Sequence, residues 1–319
     1  MIREINGPAG KIWSQSQSTQ GAWTAFCVTP AGKIFACVYG GRIYYSNDNG
    51  ITWTQMAIRG NWSDICVTPT GRIIACASTD HICYYDDGTT WEVSQSESTT
   101  WDSLCVTPTG RIIACSHSFI YYSDDDGETW TQSQSPSRQW NALCVTPTGR
   151  IIASVNYRAI CYSDDGITWT ESQSPSNKRW NALCVTSTGR ILVGDNGGSG
   201  IWCSDDNGVT WAQLQGTQEP GENLRVTPTG RIITGVYGGY IYYSDDNGVT
   251  WTQSQSPNKN WTDICVTPTG RILAGISGSK IYYSDPEIEV KCPKYLDQNG
   301  AQEIVTQFKA YCDNLVGGN

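Results

Sequence analysis

The sequence predicts an all-β fold, a seven-bladed β-propeller closed by strands from both chain ends. One phrase, Cys-Val-Thr-Pro-Thr-Gly-Arg-Ile, recurs seven times with small changes across the 319 residues. Its glycines stand 39 to 41 residues apart: Gly32, Gly71, Gly110, Gly149, Gly189, Gly230 and Gly270. A period of about 40 residues with four short strands in each unit is typical of propeller blades.

Each repeat contains four strand-like segments, as the unit that begins at Trp140 illustrates. We predict strands over residues 140–146, 150–154, 159–163 and 168–173. Pro147 and Gly149 form the first turn, because proline presets φ and glycine permits a positive φ. Apolar and β-branched residues dominate the inner strands, whereas the fourth segment is polar, as expected of an outer strand.

The two ends of the chain complete the last repeat. The seventh copy stops near Pro286 without a fourth strand, and residues 11–17 read as that missing strand. Pairing the two segments leaves no open sheet edge at the seam. We therefore expect residues 1–286 to form the propeller and residues 287–319 to form a separate C-terminal segment.

A second phrase, Ser-x-Asp-x-Gly-x-Thr-Trp, lies between the copies of the first and resembles the Asp-box, or BNR, repeat. It is centred on Gly50, Gly127, Gly208 and Gly248, and one residue is missing around Gly88 and Gly166. Asp-box propellers include sialidases, sortilin-type receptors and photosystem assembly proteins. The resemblance implies the blade fold and leaves enzyme, lectin and scaffold functions open. In the box itself, Asp caps the turn, Gly allows it and Trp packs between blades.

The acidic residues are concentrated on one predicted face of the ring. The net charge is -9, and 13 acidic residues lie in or beside the boxes, against seven basic residues in the Gly-Arg turns. The first–second and third–fourth strand turns point the same way, so both sets fall on one side, here called the box face. The acidic balance excludes a nucleic-acid partner, which needs a basic footprint.

Variation among the copies is concentrated in two loops, which we place on the opposite side, here called the variable face. One loop joins the second and third strands and supplies Arg42, Arg158, Asp195 and Tyr240 as candidate ligand-binding residues. The other joins successive blades. Functional residues concentrate on loops that a rigid scaffold holds. The alternative is that these loops vary because nothing packs on them.

Six copies begin the inner strand with tryptophan: Trp23, Trp62, Trp101, Trp140, Trp180 and Trp261. We expect these indoles to ring the variable face and to stack on sugars, whose C–H faces are apolar and whose edges are polar. Several weak sites would add avidity on a repetitive surface. The alternative is that the indoles are wedges between blades.

The sixth repeat departs from the others. Gly221 stands where tryptophan is expected, and Arg225 replaces cysteine. A buried arginine needs a carboxylate partner, and Glu222 or Glu219 would supply it. We predict either a binding pocket between blades five and six, with Glu222 and Arg225 as ligand-binding residues, or a structural ion pair.

The sequence predicts no catalytic residues, no metal site and no cofactor. A sialidase needs an arginine triad, a Tyr–Glu pair and an acidic Asp from different blades, whereas the arginines here repeat at one turn of the box face. His81 and His117 form no readable Ser–His–Asp arrangement. No Cys-x-x-Cys pattern suggests zinc. The repeated cysteines are expected to be free thiols in strand interiors, with cross-strand disulfides as the alternative.

Residues 287–319 leave the repeat and predict a short α-helical tail. Apolar residues at 301, 304, 305, 308, 312 and 315 follow one helix face, Asn299 caps it and Gly317 ends it. With residues 293–300, this segment is similar to a module of phage tail and fibre proteins. The resemblance implies an attachment or oligomerisation helix; the alternative is a helix packed against the propeller.

The sequence therefore predicts a non-catalytic recognition module, a phage tail or fibre receptor-binding protein that binds cell-surface glycan through the variable face. A sialidase-like glycoside hydrolase and a protein-binding assembly scaffold are the alternatives. Expected partners are a surface glycan or receptor and other phage structural proteins, with homo-oligomers also open. The phage resemblance implies a virion location. The sequence shows no signal-peptide pattern and no run of 18 apolar residues, so the alternative is an otherwise soluble chain without membrane insertion.

Overall fold

The computed structural model describes residues 10–86, 90–197, 200–214 and 223–285, and it shows a seven-bladed β-propeller. These residues form 29 strands and no helix. Seven antiparallel sheets follow one another along the chain, each built around four strands. The predicted blade fold is confirmed, whereas the predicted C-terminal helix lies outside the described residues.

The first four blades each contain four consecutive strands. Blade 1 contains β2 (Trp23–Val28), β3 (Ile34–Val38), β4 (Gly41–Ser46) and β5 (Thr54–Gly60). Blade 2 contains β6 (Trp62–Val67), β7 (Ile73–Ala77), β8 (Cys83–Tyr85) and β9 (Trp91–Val93). Blade 3 contains β10 (Trp101–Val106), β11 (Ile112–Ser116), β12 (Ile120–Ser123) and β13 (Thr131–Gln132). Blade 4 contains β14 (Trp140–Val145), β15 (Ile151–Val155), β16 (Cys161–Ser163) and β17 (Thr170–Glu171).

The last three blades follow the same plan, with one addition. Blade 5 contains β18 (Trp180–Val185), β19 (Ile191–Asp195), β20 (Gly200–Ser204) and β21 (Ala212–Gln213). Blade 6 contains β22 (Asn223–Val226), β23 (Ile232–Gly235), β25 (Ile241–Ser244) and β26 (Thr252–Gln253). Blade 7 contains β27 (Lys259–Val266), β28 (Ile272–Ile276), β29 (Tyr282–Ser284) and β1 (Ser14–Gln15). The additional strand, β24 (Tyr237–Gly239), pairs with β27.

The ring closes through both ends of the propeller, as predicted. Ser14 pairs with Tyr283 and Gln15 with Tyr282 in an antiparallel ladder. The N-terminal strand is thus the outer strand of blade 7. This arrangement protects the edge that the seventh repeat would otherwise leave open.

The hydrophobic core is divided into clusters between neighbouring blades. One cluster joins Phe35 of β3 to Trp62 and Ile65 of β6, all nearly fully buried. The second strands are buried over nearly their whole length, whereas fourth strands such as β13 are exposed. The apolar second strand and the polar fourth strand of each repeat account for this gradient from the axis to the rim.

The Asp-box turns are built from local hydrogen bonds. In blade 5, Asp206 Oδ1 accepts the backbone N–H of Thr210 at 2.9 Å and the hydroxyl of Ser204 at 2.8 Å. These bonds hold the pKa of Asp206 below its ordinary value, despite partial burial. Gly208 has φ +89°, and an added Cβ would lie 2.6 Å from Ile152 Cδ1 of blade 4. The box glycine is therefore required both by the backbone and by the neighbouring blade.

The Gly-Arg turns and the Asp-boxes lie on the same face, as predicted. Arg150 of blade 4 donates from Nε and Nη2 to Asp164 at 2.7 and 2.9 Å. Its Nη1 reaches the carbonyl of Asn207 in the box of blade 5 at 3.3 Å, and its guanidinium covers the Tyr162 ring. The arginines of the box face therefore link neighbouring blades.

The twelve described cysteines are free thiols, which agrees with the sequence. Burial raises the pKa of Cys105 and Cys144, as of the other described inner-strand cysteines. These side chains behave as small apolar residues between blades. Among the described residues, no helix is long and apolar enough to cross a membrane.

Candidate ligand site on the variable face

The six inner-strand tryptophans are wedges between blades. Each exposes 2% of its surface or less: Trp23, Trp62, Trp101, Trp140, Trp180 and Trp261. Aromatic side chains pack on them, for example Trp169 against Trp140 with ring centroids 5.8 Å apart. The prediction that these indoles form an exposed ring for sugars is wrong, because the narrow space between adjacent sheets encloses them.

Four of these indoles nevertheless position the variable loops. Their Nε1–H groups donate to loop carbonyls at 2.9 to 3.3 Å: Trp23 to Ser279, Trp101 to Glu97, Trp180 to Arg158 and Trp261 to Gly239. A buried indole needs a partner for its N–H, and the loop backbone supplies it. These four tryptophans thus act on the variable face through the loops that they hold.

Arg42 and Tyr240 lie on the variable face, as predicted, and both are half-buried. The Nη1 of Arg42 donates to the carbonyl oxygens of Met56 and Ala57. Arg42 also stands opposite Arg59 across the β4–β5 ladder. Two like charges on facing strand positions destabilise the fold. The positive charge on this edge of blade 1 therefore lowers stability.

Asp195, a predicted ligand-binding residue, is buried and organises the backbone. It is 1% exposed and accepts the N–H groups of Arg179 at 3.0 Å and Gly197 at 2.9 Å. Its other oxygen lies 3.4 Å from Lys178 Nζ. The carboxylate therefore fixes the connector from blade 4 to blade 5.

Arg225 lies in the central channel, where its partner is Asp263. Its Nη2 donates to Asp263 Oδ1 at 2.9 Å, and Asp263 Oδ2 accepts the N–H of Phe26 in blade 1 at 3.1 Å. The arginine side chain is 38% exposed to the channel although inner strands surround it. Glu219 and Glu222, the predicted partners, lie outside the described residues. The ion pair connects blades 6, 7 and 1.

The variable face carries an exposed cationic and aromatic cluster on blades 4 and 5, formed by Tyr157, Arg158 and Arg179. Tyr157 is 58% exposed, and the guanidinium of Arg179 lies 5.9 Å from the centroid of its ring. Arg158 and Arg179 are both exposed. Within the described ranges, no carboxylate forms an ion pair with either side chain. The cluster therefore presents positive charge to solvent.

Tyr157 is held in an unusual backbone conformation. Its φ is +57°, whereas blades 1, 6 and 7 place Gly40, Gly238 and Gly278 at the same loop position. A bulky residue in the left-handed region is strained, and such strain concentrates at functional sites. The N–H of Tyr157 donates to Lys178 O at 2.8 Å, which holds the loop against the next connector.

A cleft of about 420 Å³ lies beside this cluster, between blades 3 and 4. Its walls are the connector 136–139 and the loop residues Val155, Asn156 and Arg158. Arg138 is held by Glu171 of β17, so Arg158 brings the uncompensated positive charge to the cleft. The volume is in the range of small-molecule sites, and the amide groups of Gln139 and Asn156 are suited to polar ligands.

A histidine and a buried acid meet on the same side of blade 3. His117 Nε2 lies 3.2 Å from Asp102 Oδ1, and Asp102 Oδ2 is buried without a hydrogen-bond partner among the described residues. Burial raises the pKa of Asp102 to about 7. His117 is half exposed, whereas the Asp102 side chain is 21% exposed.

Larger cavities occur on the box face, but scaffold turns line them. One of about 880 Å³ contains Arg111, Asp124 and Arg150 with turn residues of blades 2 to 4. These arginines already bind carboxylates: Arg111 Nε lies 2.7 Å from Asp124. Another of about 680 Å³ is lined mainly by Val, Thr and Pro at the channel mouth. The variable face is therefore the better candidate for charged ligands.

Several residues of this site were not predicted from the sequence. Tyr157, Arg138 and Arg179 lie in the predicted variable loops but are not among the predicted site residues. The sequence does distinguish Tyr157, because this residue occupies a loop position where other copies carry glycine. The meeting of Asp102 with His117 had no such signal, since it depends on how a β-bulge turns the Asp102 side chain.

Comparisons with known proteins agree with the fold. The DUF6242 beta propeller domain family matches residues 4–109, and the BNR/Asp-box repeat matches residues 121–132 and 242–253. No curated protein matches this chain. The phage tail resemblance found no counterpart and stays a prediction.

Many solved structures share the architecture at low identity. Virginiamycin B lyase from Staphylococcus aureus aligns with TM-score 0.74 and 11% identity over 86% of this chain and 99% of that chain. YCF48 from Cyanidioschyzon merolae aligns with TM-score 0.69 and 15% identity over 85% and 98%. The extracellular domain of a putative one-component system from B. thetaiotaomicron aligns with TM-score 0.70 and 13% identity over 88% and 40%. Proteins of varied roles share this propeller fold, and these likenesses show the fold alone.

Proposed function

We propose that this chain is a non-catalytic recognition module that binds an acidic glycan through the variable face. The proposed site comprises Tyr157, Arg158 and Arg179 with the cleft between blades 3 and 4. The observation that carries the proposal is the different use of arginine on the two faces. Arginines of the box face bind carboxylates of their own blades, whereas Arg158 and Arg179 have no ion pair among the described residues.

The chemistry of the cluster fits a sugar acid. A guanidinium binds a carboxylate through two parallel hydrogen bonds, which a neutral sugar cannot accept in that way. The exposed Tyr157 ring offers an apolar face to the C–H groups of a sugar and a hydroxyl to its edge. Gln139 and Asn156 line the adjacent cleft with amide groups that pair with hydroxyls.

Recognition without turnover is favoured by the way that the arginines are distributed. A sialidase-like reaction requires several arginines gathered around one substrate carboxylate. In this propeller, the guanidinium groups of Arg111, Arg150 and Arg190 are all bound to carboxylates on the box face. The phage tail or fibre role, the glycoside hydrolase and the protein-binding scaffold stay predictions of the sequence.

The test compares binding to polygalacturonate, dextran and polyglutamate by biolayer interferometry. We expect binding to polygalacturonate that weakens with salt, little binding to neutral dextran, and weaker binding to polyglutamate, which lacks the sugar ring. Arg158→Ala combined with Arg179→Ala should lower the affinity for polygalacturonate about tenfold or more, because two charge-assisted contacts are lost.

The matched control removes the same charge elsewhere. Lys11 and Lys33 stack on the Tyr243 and Tyr45 rings, away from the variable face. Lys11→Ala combined with Lys33→Ala should leave binding nearly unchanged. Equal losses in the two double variants would contradict a defined site. Depolymerisation of the polysaccharide by the parent protein would contradict recognition without catalysis.

A further inference from the structure

The seam between blades 3 and 4 differs at one position from four other seams that the structure describes. Blades 1, 2, 4 and 7 place a donor directly after the inner-strand tryptophan, inside a β-bulge. Each donates to the tryptophan carbonyl of the next blade at 2.5 to 3.0 Å: Thr24 to Trp62, Ser63 to Trp101, Asn141 to Trp180 and Thr262 to Trp23. This hydrogen bond is a repeated link of the ring.

Asp102 occupies the same position in blade 3. By the register of the other copies, it faces the carbonyl of Trp140, and an ionised carboxylate has no hydrogen to donate there. Its Oδ2 is buried without a partner among the described residues, and its Oδ1 meets His117 Nε2 at 3.2 Å. Two facing acceptors repel, and an unsatisfied buried oxygen is unfavourable.

We propose that Asp102 and His117 form a proton-operated latch that controls ligand binding in the cleft between blades 3 and 4. When Asp102 is protonated, its carboxyl donates a hydrogen bond to the Trp140 carbonyl, as Thr24 and Asn141 donate to the tryptophan carbonyls of the next blades. When Asp102 is ionised, this hydrogen bond is lost. The inference deepens the proposed function, because the regulated site is the one proposed above.

The latch is connected to the wall of the cleft. Trp140 follows directly after Arg138 and Gln139, which line the cleft, and its N–H donates to Arg138 O at 3.0 Å. On the other side, Ser118, next to His117, accepts the N–H of Arg138 at 2.8 Å. The wall is thus hydrogen-bonded on one side to Trp140, which Asp102 faces, and on the other to the residue next to His117.

The groups around Asp102 do not replace it as the titrating acid. Cys76 of β7 and Cys115 of β11 lie near it, and burial together with the Asp102 charge raises the pKa of Cys115. These thiols stay neutral between pH 5 and 8. From blade 4, Asn141 carries no charge. Within the described part of the chain, His117 is the ionisable side chain in contact with the carboxyl.

The first experiment measures the thermal midpoint from pH 5 to 8. The pKa of Asp102 is higher in the folded protein than in the unfolded chain, so this group favours folding at low pH and loses that contribution as the pH rises through about 7. Asp102→Asn supplies the donor that Asn141 supplies in blade 4. We expect this variant to exceed the parent by about 2 °C at pH 8 and to match it at pH 5. Unchanged pH dependence in the variant would overturn the latch.

The reverse substitution is the matched control. Asn141→Asp places the same acid in the seam between blades 4 and 5. It should lower the midpoint at pH 8 more than at pH 5, although the cleft between blades 3 and 4 is not involved. An effect independent of pH would show that an acid at this position does not sense protons, and would overturn the latch.

The second experiment measures affinity for polygalacturonate at pH 5.5 and 8. We expect the parent to bind about fivefold more tightly at pH 5.5, and Asp102→Asn to bind equally at both values. His117→Gln distinguishes the latch from direct attraction by protonated histidine, since a latch on Asp102 keeps part of the pH effect in that variant. If Asp102→Asn keeps the full pH effect, the latch is wrong. If the parent binds no polygalacturonate at either pH, the proposed glycan class fails, and the thermal experiment still decides on the latch.

Discussion

The two faces of the propeller use the same side chains in different ways. On the box face, Arg111 and Arg150 are each stacked on a tyrosine and paired with a carboxylate, and each also reaches the next blade. On the variable face, Arg158 and Arg179 surround an exposed tyrosine whose backbone is strained. Where the repeat is constant, charge holds the ring together; where it varies, Arg158 and Arg179 form no ion pair with the described residues.

The largest effect is expected from breaking the box face. Gly208→Ala introduces a side chain at φ +89° and places its Cβ 2.6 Å from Ile152 Cδ1, so we expect a loss of about 3 kcal/mol in unfolding free energy. Gly149 has the same φ but no heavy atom within 4 Å of an added Cβ. Gly149→Ala should cost about 1 to 2 kcal/mol, from backbone strain alone. Equal losses in denaturant unfolding would show that blade contact at the box contributes nothing.

A smaller loss of stability is expected when the ion pair in the central channel is broken. Arg225→Cys gives blade 6 the residue of the other copies and leaves Asp263 without its cation. We expect a loss of about 2 kcal/mol at pH 8, less than for a fully buried pair because Arg225 is partly exposed to channel water.

The loss in Arg225→Cys should depend on pH. Burial already raises the pKa of Asp263, and Arg225 opposes that rise. Without the arginine the folded-state pKa rises further, so the variant loses stability as the pH increases and approaches the parent near pH 4. Thermal unfolding across this range checks the sign. A loss that grows toward acid pH would refute the pairing.

The smallest effect concerns blade 1, which lacks the arginine–carboxylate pair of the box face. Blade 1 carries Lys33 and Asn47 where blade 5, for example, carries Arg190 and Asp205, whose Nε and Oδ1 lie 2.6 Å apart. Lys33→Arg combined with Asn47→Asp should add about 0.5 kcal/mol, as expected of an exposed bidentate pair. Each single substitution should add less than the double variant. A purely additive pair of effects in a double-mutant cycle would show that no pair forms.

Part of the candidate site was accessible from the sequence. The variable loops, including residues 155–158 and 136–139, were located correctly because topology alone assigns loops to faces. The tryptophans were assigned wrongly, since the sequence shows that Trp140 starts an inner strand but not how closely the next sheet approaches it. The partner of Arg225 also depends on a neighbouring blade, 38 residues away in the chain.

The sequence by itself determined the number of blades, their four-strand plan, the closure of the ring and the face on which each turn lies. These follow from a local repeat, because every copy has the same pattern of apolar residues and turn residues. Only the tertiary structure decided that the indoles are buried, that Asp102 meets His117 and that Tyr157 stands exposed beside Arg179. Such contacts join residues of different strands or blades, and their distances depend on how adjacent sheets pack.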